Sequence, residues 1–324
     1  MRLAREARRS PVPHSWLRVF DVQRWGIVSV LVVLVAILGV VSPVFLSAGN
    51  LRNILQQVST IGILATGATV LMIAGGIDLS IGSIISVAAV VMGTLIKAGT
   101  PAELAILVGL LIGCGIGFIN GLLAAYTRAH PFILTLGTMT MFQGVAIIIT
   151  EGFPITDLGR RFEWIGSARI WEVPVSVIIL LLVMVVCYFL LRYTRLGRIA
   201  YAIGGNEYTT FLAGIPVRRY KILFYVIGGF FAGLASVVLA SRISSAIPTM
   251  GADYTLQAIG AVVIGGVPLT GGRGSVWGTF TGVLLLGIIA NGLNLLHVEA
   301  SWQYVLTGFV ILVAVILHEQ RMGR

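Results

Sequence analysis

Charge is what this chain has least of: only 10% of its 324 residues are Asp, Glu, Lys or Arg, against 57% hydrophobic. With a mean hydropathy of +1.00, that scarcity excludes an ordinary soluble fold, and no polar stretch reaches the roughly 50 residues a separate soluble domain requires. Cysteine is almost missing. Cys114 and Cys187 both fall inside apolar runs, so neither a disulfide framework nor a cysteine metal cluster can be built, and both read as small packing residues. His14, His130, His297 and His318 stand in tails or loops, which leaves no H-E-x-x-H metal site and no proton relay on adjacent helical turns. No G-x-x-x-x-G-K-[ST] loop is present, so the chain cannot cradle ATP phosphates itself. The acids Glu6, Asp21, Glu103, Glu151, Asp157, Glu163, Glu172, Glu207, Asp253, Glu299 and Glu319 lie in tails, loops or span ends, which argues against an intramembrane enzyme or a proton-coupled carrier.

What the chain has in plenty is apolar runs near the roughly 20 residues that a bilayer-spanning helix needs. Apolar length and polar breaks place candidate spans at 26–45, 51–74, 79–96, 103–126, 132–150, 173–191, 222–242, 254–270, 275–296 and 302–317. The expectation is an all-α, polytopic membrane protein of about ten transmembrane helices, several of them interrupted by glycine. Residues 1–25 form a basic tail, 26–318 a single transmembrane domain and 319–324 a closing tail. The apolar run from Gly26 reads as a retained first span, because its polar preface is longer and more charged than that of a cleaved signal peptide. With the amino terminus inside, only Arg52, Lys97, Arg160, Arg161, Arg169 and Arg242 of the 22 Lys and Arg residues fall outside. That bias puts both termini in the cytoplasm. It also accounts for the net charge of +10 without nucleic acid, since the basic residues are scattered over short loops and tails. The outer loop 151–172 carries Trp164 and Trp171 among its acids, as an interfacial surface does.

Glycine is abundant, at 40 residues. Gly113, Gly115 and Gly117 read as a helix-packing face, whereas Gly75-Gly76, Gly82, Gly265-Gly266 and Gly271-Gly272 interrupt spans. The sharpest interruption is GGIDLSIGS at 75–83, where Asp78 breaks apolar sequence. Two readings stand for Asp78: a cap accepting a freed backbone N–H before the next helix, or a carboxylate facing a transport path. GGVPLTGGRGS at 265–275 echoes the same order of residue types, a hint of an internal repeat. The spans otherwise carry neutral hydrogen-bonding groups, among them Asn120, Gln143, Gln257, Asn291 and Asn294. Such groups could pass an uncharged polar solute along a path, or serve simply as glue between helices.

Between two apolar spans lies the basic connection 192–221. Within it Gly204, Gly205, Asn206 and Glu207 precede a short helical run ended by Gly214 and Pro216, the layout of a capped surface helix. It reads either as a docking surface for a cytoplasmic partner or as a plain solvated connector.

Three segments together, GGIDLSIGS at 75–83, IGGNEYTTFLAGIPV at 203–217 and AIGAVVIGGVPLTGGRGSVWGTFTGVLLLGIIANGLNLL at 258–296, resemble the ribose, xylose and arabinose permease family of bacterial ABC importers. The resemblance implies a permease subunit of the bacterial inner membrane that moves a monosaccharide by alternating access. It implies a second permease subunit, an extracytoplasmic solute-binding protein, and a cytoplasmic ATPase that uses ATP and Mg, with no cofactor in this chain. Gly204 to Gly214 then match the loop whose short helix docks on the ATPase, with Glu207 and Gly214 at its acidic and glycine positions. Tyr208-Thr209-Thr210 depart from the alanines usual there. A nucleoside or branched-chain amino acid permease is the nearer alternative, and an ATP-independent secondary transporter the more distant one.

Overall fold

The structure is a computed structural model that describes residues 15–322, with side chains described for 26–313 and for Ile316. Arg2, Arg5, Arg8, Arg9 and Arg324 of the expected basic tails lie outside the described residues, as do the side chains of Arg18, Arg24 and Arg321.

The chain is mostly helical. In order come α1 (Ser15–Val41), α2 (Ala48–Ile73), α3 (Ile81–Lys97), α4 (Ala102–Tyr126), α5 (Pro131–Thr150), β1 (Ile155–Thr156), α6 (Arg160–Ser167), β2 (Arg169–Ile170), β3 (Val173–Pro174) and α7 (Val175–Tyr193). Then follow α8 (Arg195–Gly205), α9 (Glu207–Leu212), α10 (Val217–Ile243), β4 (Ser245–Ala246), α11 (Ala252–Ile264), α12 (Val276–Leu295) and α13 (Ala300–Met322). Among the described residues six helices, α2, α4, α5, α7, α10 and α12, are long and apolar enough to cross a membrane. Four shorter apolar stretches accompany them in α1, α3, α11 and α13. Helix α11 ends six residues short of its expected span of 254–270: its 13 residues reach about 20 Å, short of the roughly 30 Å of a hydrocarbon core. Its glycine pair ends it early. Helix α1 starts well upstream of residue 26, inside the sequence expected to be tail.

Helix α2 is buried along most of its length, with α7, α10, α11 and α12 around it. The tightest pairing is α4 with α10. On α4, Gly109, Gly113, Gly117 and Gly121 recur every four residues and so lie along one face. Backbone of α10 fills that face: a methyl on Gly113 would collide with the Gly229 carbonyl, one on Gly117 with the Tyr225 carbonyl, and one on Gly121 would lie 2.8 Å from Ile222 Cα. Small residues allow this approach, which supplies the dispersion contact that apolar side chains cannot supply against lipid of equal apolarity. Gly115 is different: a methyl there meets nothing within 4 Å. It therefore leaves the packing face expected of all three glycines.

The fold is not wholly α. Loop 151–174 forms a small cap with the segment after α10, in which β1 pairs antiparallel with β4 and β2 with β3. Trp171 and Glu172, at φ of 49° and 66°, make the tight reversal between β2 and β3, a conformation whose twist suits a two-residue hairpin turn. Buried Phe162 and Leu158 seat α6 on the bundle, and Ser244 Oγ donates to Glu163 Oε1 at 2.5 Å. Arg52 pairs with Glu172 at 2.8 Å.

The α4–α10 contact generates a sharp expectation. Gly117→Leu should destabilise the detergent-solubilised protein by on the order of 3 kcal/mol in thermal unfolding, the overpacking range. Gly115→Leu, one turn-half away, should fall within about 0.5 kcal/mol of the parent.

Candidate functional site

Two helix breaks face each other at the end of the bundle that carries α8 and α9. Helix α2 ends with Gly75 in the left-handed region (φ 76°), its N–H donating to Met72 O at 2.9 Å while Gly76 N–H donates to Leu71 O at 3.0 Å. Helix α11 ends identically: Gly266 (φ 91°) donates to Val263 O at 2.9 Å and Val267 to Val262 O at 3.2 Å. Both are the paired reverse bonds that satisfy orphan carbonyls at a helix carboxyl end. The sequence echo thus has a physical basis, although the cap aligns Gly75 with Gly266, not with the first glycine of the later pair.

The breaks are joined to each other and to the basic connection. Gly272 N–H donates to Ile73 O at 2.8 Å, spanning from the second break to the end of α2. The carboxyl end of α8 is pressed into the same place: a methyl on Gly204 would collide with the Ile73 carbonyl and the Gly272 amide, and one on Gly272 would lie 2.9 Å from Gly205 Cα. Tyr201 Oη, one turn earlier on α8, donates to Gly274 O at 2.9 Å. Burial pushes that phenol above its ordinary range, against a smaller opposing pull from Arg192, so it remains a donor at neutral pH. Beside this junction a cavity of about 620 Å³ opens between the two breaks and the start of α5, with Gly75, Ile77, His130, Phe132 and Thr270 in its wall.

Asp78 lies deeper. Its Oδ1 accepts from the Ser80 backbone N–H at 2.8 Å and from Ser80 Oγ at 2.7 Å, and Asn120 Nδ2 approaches its two oxygens at 3.3 and 3.2 Å. Asn120 also donates to Ser80 Oγ at 2.7 Å. Asn120 stands six residues before the end of α4 and Tyr225 eight residues into α10, so this strand of backbone dips about 9–12 Å back into the bundle. Tyr225 Oη donates to Ile77 O at 3.0 Å and Thr135 Oγ1 accepts from Leu79 N–H at 3.1 Å. Ile77 O, Leu79 N–H and the Asp78 carboxylate of the break therefore meet side chains from α10, α5 and α4 respectively.

Helix α9 is a single capped unit. Asn206 Oδ1 accepts from Thr209 N–H at 2.9 Å, and Gly214 (φ 80°) closes the far end with Gly214 N–H on Phe211 O at 2.9 Å. Glu207 is not free: its carboxylate meets Lys221 Nζ at 2.6 Å. The large hydrophobic side chains that α9 leaves exposed are Tyr208, Phe211 and Leu212, an apolar and aromatic face at the tip of an otherwise basic connection.

Residues 50–315 match the family described as branched-chain amino acid transport system / permease component. The chain belongs to that family. It is 43% identical to the ribose import permease protein RbsC of Bacillus subtilis, over 90% of this chain and 91% of the relative. The D-allose transport system permease protein AlsC of Escherichia coli is 36% identical over 91% of each, and the L-arabinose ABC transporter permease protein AraH of Azospirillum brasilense 36% identical over 94% of this chain and 89% of its own. No solved structure matches the chain. Members of this family are membrane permease subunits and not enzymes; the ATPase is a separate subunit.

Of the neutral residues expected along a path, the permease brings only Asn120 to Asp78. Asn291 instead forms a reciprocal amide pair with Asn50, 2.9 Å in each direction, which ties α12 to α2 at the opposite end of the bundle. Gln143 Nε2 donates to Pro248 O at 2.7 Å. Gln257 is half-buried on α11, and Asn294 is exposed near the end of α12. Residues that sequence reading passed over include Tyr225 and Thr135, hidden inside apolar runs, and Lys221, which counted only towards charge bias. A hydroxyl or amine within an otherwise apolar helix start is the one signal that singles them out.

Asp78→Asn keeps an acceptor for Ser80 and should cost under about 1 kcal/mol in thermal unfolding of the purified permease. Asp78→Leu leaves the Ser80 and Asn120 donors buried and unmet, and should cost on the order of 3 kcal/mol. Equal losses in the two variants would mean that the negative charge, not the capping, is what the site needs.

Proposed function

We propose that this permease imports a monosaccharide across the bacterial inner membrane by alternating access, driven by ATP that a separate cytoplasmic ATPase binds with Mg and hydrolyses. The observation that carries the mechanism is the seat of Gly204 against Ile73 and Gly272. A displacement of α8 and α9 has no side chain to be absorbed by at that point; it acts on the backbone of both helix breaks at once. The sugar class rests on relatives named for ribose, allose and arabinose import. A branched-chain amino acid, named in the family description, is zwitterionic and would call for charged or helix-terminal contacts at depth. The buried carboxylate of Asp78 is already engaged within the chain, which supports the neutral solute.

In this reading residues 26–318 form one transmembrane domain of ten crossings, the six long helices and the four shorter apolar ones, with both termini cytoplasmic. Residues 192–221 are the coupling segment on the cytoplasmic side, α9 presents Tyr208, Phe211 and Leu212 to the ATPase, and Gly204, Gly205, Asn206, Glu207 and Gly214 shape that contact. A second permease subunit completes the translocation unit, and a solute-binding protein delivers the sugar to the outer cap.

Proteoliposomes holding the permease, its ATPase and its binding protein should accumulate D-ribose only when ATP is supplied to the ATPase side, and should not accumulate L-leucine. Uphill uptake without the ATPase, or uptake of L-leucine in place of the sugar, defeats the proposal.

The Glu207–Lys221 pair gives a second test in the same vesicles. Glu207→Lys and Lys221→Glu should each lower ATP-driven uptake by about tenfold, the size of a coupling energy near 1.4 kcal/mol. Combining them restores the pair and most of the uptake if Glu207 acts through Lys221. A combined variant as defective as either single one would show that Glu207 contacts the ATPase directly.

A further inference from the structure

Between α10 and α11 the chain traverses much of the bundle without forming a helix. Residues 245–251 run alongside α3. At one end Ala246 packs on Gly93, where an added methyl would stand 3.0 Å from the Ala246 Cβ. At the other, Gly251 lies against Gly82, and its N–H donates to Ser86 Oγ at 3.1 Å. The stretch of α3 from Gly82 to Gly93 is about 16 Å long, and residues 247–252 follow part of it in two successive turns rather than in a helix. Helix α3 is apolar and almost wholly buried, so this leg lies at membrane depth.

A bilayer offers no hydrogen bonds, and irregular backbone at such depth faces protein or water, never lipid. Most of the leg is satisfied from within. Gln143 Nε2 on α5 donates to Pro248 O at 2.7 Å, Met250 N–H to Ile247 O at 3.1 Å and Ala252 N–H to Thr249 O at 3.1 Å. Ser245, Ala246, Pro248 and Gly251 are buried. Thr249 is not: it is exposed, and Gln143 beside the leg is half-buried with an Oε1 acceptor and a second amide hydrogen beyond the bond to Pro248. Lipid is excluded as the neighbour of this open side by the backbone that carries it.

We propose that the open side of the 245–251 leg lines the aqueous path of the solute, and that the Thr249 hydroxyl and the Gln143 carboxamide exchange hydrogen bonds with the hydroxyl groups of a passing sugar. The assignment rests on the sugar-permease reading above. A sugar hydroxyl both donates and accepts, as do the threonine hydroxyl and the glutamine amide, so neither partner needs a charge. Neutral contacts of this sort also release their ligand, which a path requires as much as it requires binding. The placement of Gln143 explains itself: it holds the leg in position with one hydrogen and offers the rest of its amide to the solute.

The test uses the full complex in proteoliposomes, in a Cys114→Ser, Cys187→Ala background. Thr249→Cys should react with a membrane-impermeant methanethiosulfonate, lose ATP-driven D-ribose uptake by at least about tenfold, and be protected by excess D-ribose. Leu182→Cys, on the exposed apolar side of α7, should not react. A Thr249→Cys complex that stays unmodified with and without ATP overturns the proposal, and so does one that is modified with uptake intact. A ready disulfide between two copies at position 249, without protection by D-ribose, assigns this side to a permease–permease contact and overturns it as well. Should the cysteine variant fail to assemble, Thr249→Val and Gln143→Met decide: each should lower the ribose carried per ATP hydrolysed by about fivefold, the factor for one ordinary hydrogen bond, and unchanged ratios in both reject the path. Parental vesicles separate this inference from the one beneath it. If they fail to import D-ribose with ATP, the sugar reading falls and takes this assignment with it; if they import it, the variant results bear on the path alone.

Discussion

Every backbone N–H and carbonyl released where a helix breaks inside a bilayer needs a partner from the protein, and this constraint organises the permease more than any side-chain contact does. The two helix breaks close their carboxyl ends with the same pair of reverse hydrogen bonds, at Gly75 and at Gly266. What remains open is met individually: Ile77 O by Tyr225, Leu79 N–H by Thr135, Gly82 N–H by Thr255, Pro248 O by Gln143. The chain's polar residues in its apolar interior are largely explained by this service. It also explains why so few charges are present, since a neutral hydroxyl or amide satisfies one backbone group without the desolvation cost of an ion.

Glycine does the complementary work of bringing backbones together. Along α4 and α10 it produces a static seam, with carbonyls of one helix filling the places where the other has no Cβ. At the junction of Gly204, Gly272 and Gly75 the same closeness joins three different segments, and there the consequence is mechanical. Side chains in a packed core can yield by changing rotamer, but two backbones in contact transmit a push with little slack. A movement of α8 thus reaches the segment that carries Asp78 and the segment that leads into α12 through one point.

Much of this was legible beforehand, and the boundary of legibility is physical. Helix ends set by Gly75-Gly76 or by Asn206 and Gly214 follow from local backbone preference and fall within a few residues of their expected places, whereas the Gly265-Gly266 pair ends α11 six residues early. Asp78 stood out because a carboxylate in apolar sequence is costly; its bond to the Ser80 N–H is a turn bond two residues on, and the N-cap of α3 is Ser80 itself, not Asp78. Partners distant in sequence were not legible: nothing local in Asn291 points to Asn50, 241 positions away, nor in Glu207 to Lys221 across the turn into α10. The 245–251 leg was hidden for another reason. It falls between the expected spans 222–242 and 254–270 and reads as a connection, because a short run with Pro248 and Gly251 carries no helical period by which burial could be recognised.

The difference between Glu207 and the rest of α9 bears on how this short helix is held. Six residues are too few for a helix to persist on its own, because nucleation fixes three residues for the first hydrogen bond. Helix α9 is stable only by what surrounds it: the Asn206 cap, the Gly214 closure, the burial of Thr210 and the ion pair to Lys221. The ion pair reaches into α10, the helix that is also locked to α4. Lys221 also lines a small void with Gly75, Gly76 and Tyr225, so its stem lies under the first break while its ammonium holds the acid of α9. An acid committed in this way orients the helix, and under the proposed coupling recognition falls to the exposed Tyr208, Phe211 and Leu212. The departure at Tyr208-Thr209-Thr210 from small residues then reads as a change in the shape of the docking face, one that a cognate ATPase would have to match.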